Sequence, residues 1–170
     1  MHPEVHDFIV RMKTQFPAGF EAKRILEYGS LNVNGTPRAF FPGDHEYVGV
    51  DWKPGPGVDA VSLMHEYVGR KNEYFDFAIS TEALEHDMYW LQSLLRVVRL
   101  LAPGGCLLLT CAGQGRHAHA MTTAPQGGYY ANLTMGLLAS VIFSVATFKR
   151  AVLEDDPKAH DLRFFGWRKR

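Results

Sequence analysis

The sequence predicts a single α/β domain of Rossmann type, with a mostly parallel sheet packed between helices. Three observations predict it. Strand-like runs alternate with helical runs along the chain, the pattern that builds parallel sheets with crossover helices. Polar residues gather directly after the strand-like runs, where open parallel sheets bind their ligands. The length of 170 residues and a hydrophobic content of 46% fit one buried core.

Val5, Phe8, Ile9, Met12 and Phe16 recur at helical spacing, with Pro3 suited to a first turn and Pro17 and Gly19 to a stop. Arg24 to Tyr28 reads as a first strand, closed by Gly29. Thr36-Pro37 signals a helix start, and Pro42-Gly43 stops that helix early. Tyr47 to Asp51 is a second strand ending on an acid, Val58 to Leu63 a weaker third, and Phe75 to Ser80 a fourth. Trp90, Leu94, Val97, Val98 and Leu101 mark an amphipathic helix. Pro103-Gly104-Gly105 then turns the chain into Cys106 to Thr110, a fully apolar fifth strand. A polar, glycine-rich loop is expected over Ala112 to Gly128, and a helix over about Asn132 to Ile142. Thr147 to Leu153 and Leu162 to Trp167 are two further strands around the turn chemistry of Asp155-Asp156-Pro157-Lys158.

Composition narrows the function. Lysine plus arginine equal aspartate plus glutamate at 18 each, so the basic excess of a nucleic-acid binder is missing, and nucleic acid is not an expected partner. Cys106 and Cys111, five apart on a strand, face opposite sides and cannot pair, and no Cys/His metal pattern exists, so no metal is expected. Residues 1–10 carry Glu4 and Asp7 and no apolar signal core, and the weakly polar run from Leu133 to Phe148 is too short to span a bilayer. A cytoplasmic protein without membrane attachment is expected; the oligomeric state is not readable.

The strand ends suggest a cofactor. Asp51 lies 22 residues beyond Gly29, the spacing at which an acid accepts hydrogen bonds from ribose hydroxyls. The loop Gly29-Ser30-Leu31-Asn32-Val33-Asn34-Gly35 has Leu31 and Asn34 where a dinucleotide fingerprint needs glycine, which disfavours a pyrophosphate. Backbone amides here, with Glu27, match a carboxylate and an ammonium instead.

Four segments in order carry a resemblance: Ile25-Leu26-Glu27-Tyr28-Gly29-Ser30, Val48-Gly49-Val50-Asp51, Phe75 to His86 (FDFAISTEALEH), and Arg99 to Thr110 (RLLAPGGCLLLT). The chain resembles the class I S-adenosylmethionine-dependent methyltransferases, in particular the group with a type 11 methyltransferase domain. The resemblance implies a three-layer Rossmann-like fold with a mostly parallel seven-stranded sheet whose last strand is antiparallel. One domain would span residues 1–170: a leading helix in 1–20, a cofactor-binding half over 21–111, and an acceptor loop, helix and terminal hairpin over 112–170. It implies S-adenosylmethionine as cofactor and S-adenosylhomocysteine as product. Glu27, Gly29, Ser30, Asn34 and Gly35 would line the methionine end, and Asp51 would hold the ribose. Trp52, Met64 and His65 would flank the adenine, and Ser80 and Thr81 would complete the cofactor set, Ser80 through its carbonyl. The chain departs from many relatives in lacking Gly-x-Gly in the first loop and in having Leu63 where they have an acid.

Methyl transfer from a sulfonium needs alignment above all, and a base only where the acceptor is protonated. His86, His117 and His119 are the candidate catalytic residues, and Glu85, Tyr129 and Tyr130 the candidate acceptor contacts. The Asp-Pro-Pro-Tyr type signature of nucleic-acid amino methyltransferases is absent after the fourth strand. The expected acceptor is a small molecule or a glycan-like metabolite. Two readings stand beside it: an NAD-type oxidoreductase, disfavoured by Leu31, Asn34 and the lack of a Tyr-x-x-x-Lys pair, and a non-catalytic cofactor-binding relic.

Overall fold

The computed structural model describes residues 2–119 and 128–170. Helix α1 (Pro3–Gln15) starts on Pro3 and turns Val5, Phe8, Ile9 and Met12 inward. A short 3-10 turn (Pro17–Glu21) leads into strand β1 (Arg24–Tyr28). Strands β2 (Glu46–Asp51), β3 (Ala60–Val61) and β4 (Phe75–Thr81) follow. Helix α2 (Trp90–Leu100) precedes β5 (Leu101–Ala112), and α3 (Met135–Val145) precedes β6 (Phe148–Asp156) and β7 (Asp161–Arg168).

Among the described residues these strands form one sheet of seven, in the order β3-β2-β1-β4-β5-β7-β6. The pairs from β3 to β5 are parallel, and β7 runs antiparallel to both β5 and β6. The parallel order reverses between β1 and β4, the place where such sheets open a ligand crevice. Both sheet faces are buried, as parallel strands require. Leu26, Ala78, Leu107, Leu109 and Cys111 face α2 and α3, while Ile25, Phe77, Ile79, Cys106 and Leu108 face α1 and the ring cluster of Phe20, Phe41 and Phe165. Cys106 and Cys111 thus lie in opposite layers, as their spacing predicts.

Four element boundaries differ from the expected ones, each for a local reason. The Thr36-Pro37 signal yields one 3-10 turn, Pro37–Phe40, capped by the Thr36 hydroxyl accepting from Arg38 N. The third strand shrinks to two residues because it is an edge paired only to the end of β2. Pro103-Gly104-Gly105 does not end a helix and start a strand. It lies inside β5, where residues 102–105 stand opposite Asp76 alone and Gly104 takes φ +87°. Helix α3 starts three residues late because Thr134 is its N-cap, accepting from Leu137 N at 3.2 Å. The residues before it are engaged elsewhere: Ala131 N donates to the Glu85 carbonyl and Leu133 N to the Ala112 carbonyl.

The most specific sequence segment is in part a structural lock. Asp76 of the Phe-Asp pair accepts from Arg24 Nε at 3.0 Å and Nη2 at 2.6 Å, and from the Arg24 amide, joining the starts of β1 and β4. Among the described residues no helix is long and apolar enough to cross a membrane.

Candidate functional site

A cavity of about 330 Å³ opens at the carboxyl ends of β1, β2 and β4. Its volume lies at the lower end of the range for small-molecule sites. Glu27, Gly29, Asn34, Gly35, Asp51, Trp52, Met64 and Thr81 line it, together with His86 and His119.

The first loop is held by the acid that ends β2. Asp51 Oδ2 accepts from the Leu31 amide at 3.0 Å and Oδ1 from the Lys53 amide at 3.1 Å. Burial pushes the Asp51 carboxyl up, and those amides pull it down. Each carboxylate oxygen has capacity for a further hydrogen bond. Gly29 makes the turn out of β1 at φ +76°, and a Cβ there would stand 2.4 Å from that of Ala83. Only glycine meets both demands. Asn32 Oδ1 accepts from the Gly35 amide at 2.8 Å, so asparagine chemistry closes the loop where glycines close it in a dinucleotide site.

Glu27 is 2% exposed and still lines the cavity. Burial pushes its carboxyl up to about 7, against the hydroxyl of Tyr47, which donates to Oε2 at 2.8 Å, and the field of Arg38. Asp51 and Asp59 push in the same direction as burial. The other wall is fixed by Asp87, which accepts from Tyr28 Oη at 2.7 Å, Ser93 Oγ at 2.5 Å and the Tyr89 amide at 2.7 Å.

The remaining expected residues are placed differently. Ser30 is buried beneath the loop against Gly49, whose added Cβ would meet Ser30 Oγ at 2.7 Å, and it does not line the cavity. Ser80 is buried within the sheet, paired with Tyr28 and Leu109. His65 turns its ring onto Tyr89, centroids 4.6 Å apart, and Leu63 takes the place at the cavity expected of it. His86, His119 and Tyr130 pack as three rings with centroids 5.0–5.2 Å apart, the two histidines on the cavity wall and Tyr130 behind them. Glu85 is fully buried beyond that wall. Tyr129 is half-buried and off the cavity. His117 is exposed and borders a side recess with His2, Gly115, Arg116 and His160. Of the loop expected over Ala112 to Gly128, residues 120–127 lie outside the described residues.

Three residues at this end were not among the expected site residues. Glu82 lines the cavity at φ +54°, a left-handed conformation that costs a residue with a side chain about 1–3 kcal/mol and clusters at functional sites. Arg116 bonds Asp161 and stands 3.5 Å from Glu82 Oε2, and Asp161 is fully buried. Glu82 was legible only as one of several polar residues after the fourth strand. Arg116 and Asp161 come from a loop and from the terminal hairpin, and spacing does not foretell that they meet. Among the described residues no group of His, Cys, Asp and Glu is arranged to hold a metal ion.

No protein-family model matches the sequence, and no curated protein is similar to it by sequence. The fold is similar to many solved structures. One is the 1,6-didemethyltoxoflavin-N1-methyltransferase of Burkholderia thailandensis, solved with 1,6-didemethyltoxoflavin and S-adenosylhomocysteine: TM-score 0.65, 18% identity, 98% of this chain and 83% of that one. Another is the N-methyltransferase NodS of Bradyrhizobium japonicum WM9 in complex with S-adenosylhomocysteine: TM-score 0.65, 17% identity, 96% of this chain and 88% of that one. A third is a SAM-dependent methyltransferase of Archaeoglobus fulgidus: TM-score 0.65, 12% identity, 94% and 92%. Sheet order, antiparallel last strand and these likenesses agree: the chain has the fold of the class I S-adenosylmethionine-dependent methyltransferases.

Proposed function

We propose that the protein is an S-adenosylmethionine-dependent methyltransferase acting on a small-molecule or glycan-like acceptor. The observation that carries the reading is the pairing of acids around one cavity: Asp51 at the end of β2 and the buried Glu27 at the end of β1. A cofactor with a ribose and an amino acid end needs those two groups. Asp51 would take the ribose hydroxyls, Glu27 the ammonium, and the loop amides from Gly29 to Gly35 the carboxylate. Trp52, Leu63 and Met64 supply apolar surface for the adenine. Glu27 fits the ammonium for a physical reason: a carboxyl that desolvation disfavours as an anion gains most from an incoming cation.

The bound sulfonium supplies an activated methyl group. The chain's own task is then to exclude water and hold the acceptor in line. The wall of His86, His119 and Tyr130 is the apolar-faced side on which an acceptor would lie. Burial and the neighbouring His119 push the His86 imidazole below its usual range, so it stands neutral at pH 7 and is able to accept a proton. The three proteins of similar fold named above are methyltransferases, two of them N-methyltransferases with S-adenosylhomocysteine bound.

Calorimetry tests the reading. S-adenosylhomocysteine is expected to bind and to raise the melting temperature, and NAD is expected to do neither. Binding only the folded state at 100 times the dissociation constant adds roughly 2.7 kcal/mol. Absence of any shift at millimolar S-adenosylhomocysteine, or a shift with NAD, overturns it.

A further inference from the structure

Beyond the cavity wall, the ends of β4, β5 and β7 gather more acids than cations. Arg116 serves Asp161 and reaches Glu82. Arg163 is shared among Asp156, Asp161 and Glu154. Thr110 Oγ1 donates to Glu82 Oε1 at 2.9 Å, and Glu82 Oε2 makes no hydrogen bond. Among the described residues, Glu85, 0% exposed, has no hydrogen-bond partner on either carboxyl oxygen, and the buried hydroxyl of Tyr130 has none. Burial, then Glu82, act most strongly on the Glu85 carboxyl, ahead of its own amide, that of Ala112 and Arg116. Cys111, Asp161 and Arg163 are further ionisable groups there, with His2 beside Arg116 and acting on Asp161.

A buried carboxyl without a partner is costly, and an apolar side chain of similar size would fill its place without that cost. The fold therefore gives no reason for Glu85. Glu82, on the cavity lining, adds a second cost in its left-handed backbone. Both costs fall on the same spot, next to the wall of His86, His119 and Tyr130.

We propose that Glu82, backed by Glu85 and Tyr130, is the acceptor subsite, and that the acceptor presents an amine to it. The inference rests on the methyltransferase reading and names its substrate class. An amine reaches the protein as an ammonium and must shed a proton before its lone pair is free. Two buried carboxyls that act on one another electrostatically hold one proton between them more readily than two negative charges. An ammonium entering beside an ionised carboxylate passes its proton to the pair, leaving a neutral amine and a neutral acid; charge and protons balance. An alcohol brings neither the positive charge that the cluster lacks nor a proton that a carboxylate can remove in advance. Glu82 is the residue that touches the acceptor, and Glu85 is a positioning residue that acts through it.

The test uses the full chain saturated with S-adenosylhomocysteine and two probes of one shape, n-butylamine and n-butanol. Calorimetry gives their affinities, and carbon NMR of ¹³C-labelled glutamate carboxyls reports where the proton goes. The amine is expected to bind at least about tenfold more tightly than the alcohol, the size of one charge-assisted hydrogen bond. Two glutamate carboxyl resonances should shift on binding. Glu82→Gln should abolish the preference, and Glu85→Gln, an isosteric change, should lower it severalfold while the melting temperature does not fall. Equal binding of amine and alcohol overturns the acceptor class and leaves the cofactor reading intact, as does a preference unchanged in both variants, or no saturation by the amine at tens of millimolar. If S-adenosylhomocysteine itself fails to bind, the cofactor reading falls first and this inference falls with it.

Discussion

Glu27 and Glu85 are both buried glutamates beside one cavity, yet the chain treats them differently. At the β1 end, Glu27 has the Tyr47 hydroxyl as donor and Arg38 in its field. At the β4 end, Glu85 has no hydrogen-bond partner among the described residues and lies in the field of a second acid. Partnered burial tunes a carboxyl to titrate near neutrality, whereas unpartnered burial leaves it protonated until something from outside the chain compensates it. The two ends of the cavity should therefore respond to different extents to loss of a cation, to pH and to ligand.

The largest difference should come from the arginines. Arg116 is 17% exposed and holds the buried Asp161 together with the Ala159 carbonyl at 2.9 Å. Arg116→Met should cost about 3–5 kcal/mol, because Asp161 would keep only the 3.5 Å contact of the shared Arg163, and a poorly compensated buried carboxylate costs more than the pair contributes. Arg38 is 31% exposed and pairs with a half-exposed Asp59, so Arg38→Met should cost about 1 kcal/mol. Urea denaturation of the two variants measures both. Equal losses would mean that the two ends are not electrostatically distinct.

Asp51 comes next. Asp51→Ala should weaken S-adenosylhomocysteine binding tenfold or more, since charge-assisted hydrogen bonds are worth roughly 1.5–3 kcal/mol each. The structure adds a second consequence. The amides of Leu31 and Lys53 lose their acceptor, so hydrogen exchange should rise across Leu31 and Lys53 even without ligand. Unchanged exchange would mean that the loop does not depend on this acid.

Glu27 gives the pH dependence. The folded protein holds a proton on it up to about 7, whereas the unfolded chain releases it near the ordinary 4.5. The group's contribution to stability is thus fully present below 4.5 and is lost as pH rises toward 7. An ammonium ligand favours the ionised form, so affinity should climb about tenfold between pH 6 and pH 8. In Glu27→Gln that climb should vanish. Titration calorimetry at three pH values decides, and a flat wild-type profile would place the ammonium elsewhere.

Most of the fold was legible because periodicity reports burial, and burial decides layers. Arg24 to Tyr28 is a strand with both faces covered, and Pro3 starts a helix, as the residues alone imply. Pro103-Gly104-Gly105 misleads because glycine and proline mark turns and bulges alike, and only pairing with β4 tells which. The residues proposed for the cofactor were legible for a similar reason: most follow strand ends one after another. Those proposed for the acceptor were legible in Glu85, His86, His119 and Tyr130, which sit near the fourth strand or after the fifth. Arg116 and Asp161 reach them through antiparallel pairing of β7 with β5, a long-range contact without a local signature.

The smallest expected effect separates two histidines that the sequence treats alike. His119 packs on His86 and Tyr130 and borders both the cavity and the side recess. His117 is exposed, and among the described residues its carbonyl engages the His119 ring at 3.0 Å. His119→Ala should remove two ring contacts worth about 0.5–1.5 kcal/mol each beyond their burial. His117→Ala should stay within about 0.5 kcal/mol of the parent, the usual range for an exposed side chain. Neither should alter S-adenosylhomocysteine affinity, because the groups assigned to the cofactor lie at the β1 and β2 ends. His119→Ala should also release His86 from the neighbour that depresses it, raising the pH at which its imidazole titrates in proton NMR. Equal effects of the two substitutions, or an His86 titration that does not move, would show that the three-ring wall is packing alone and that the cavity ends at Glu82 without it.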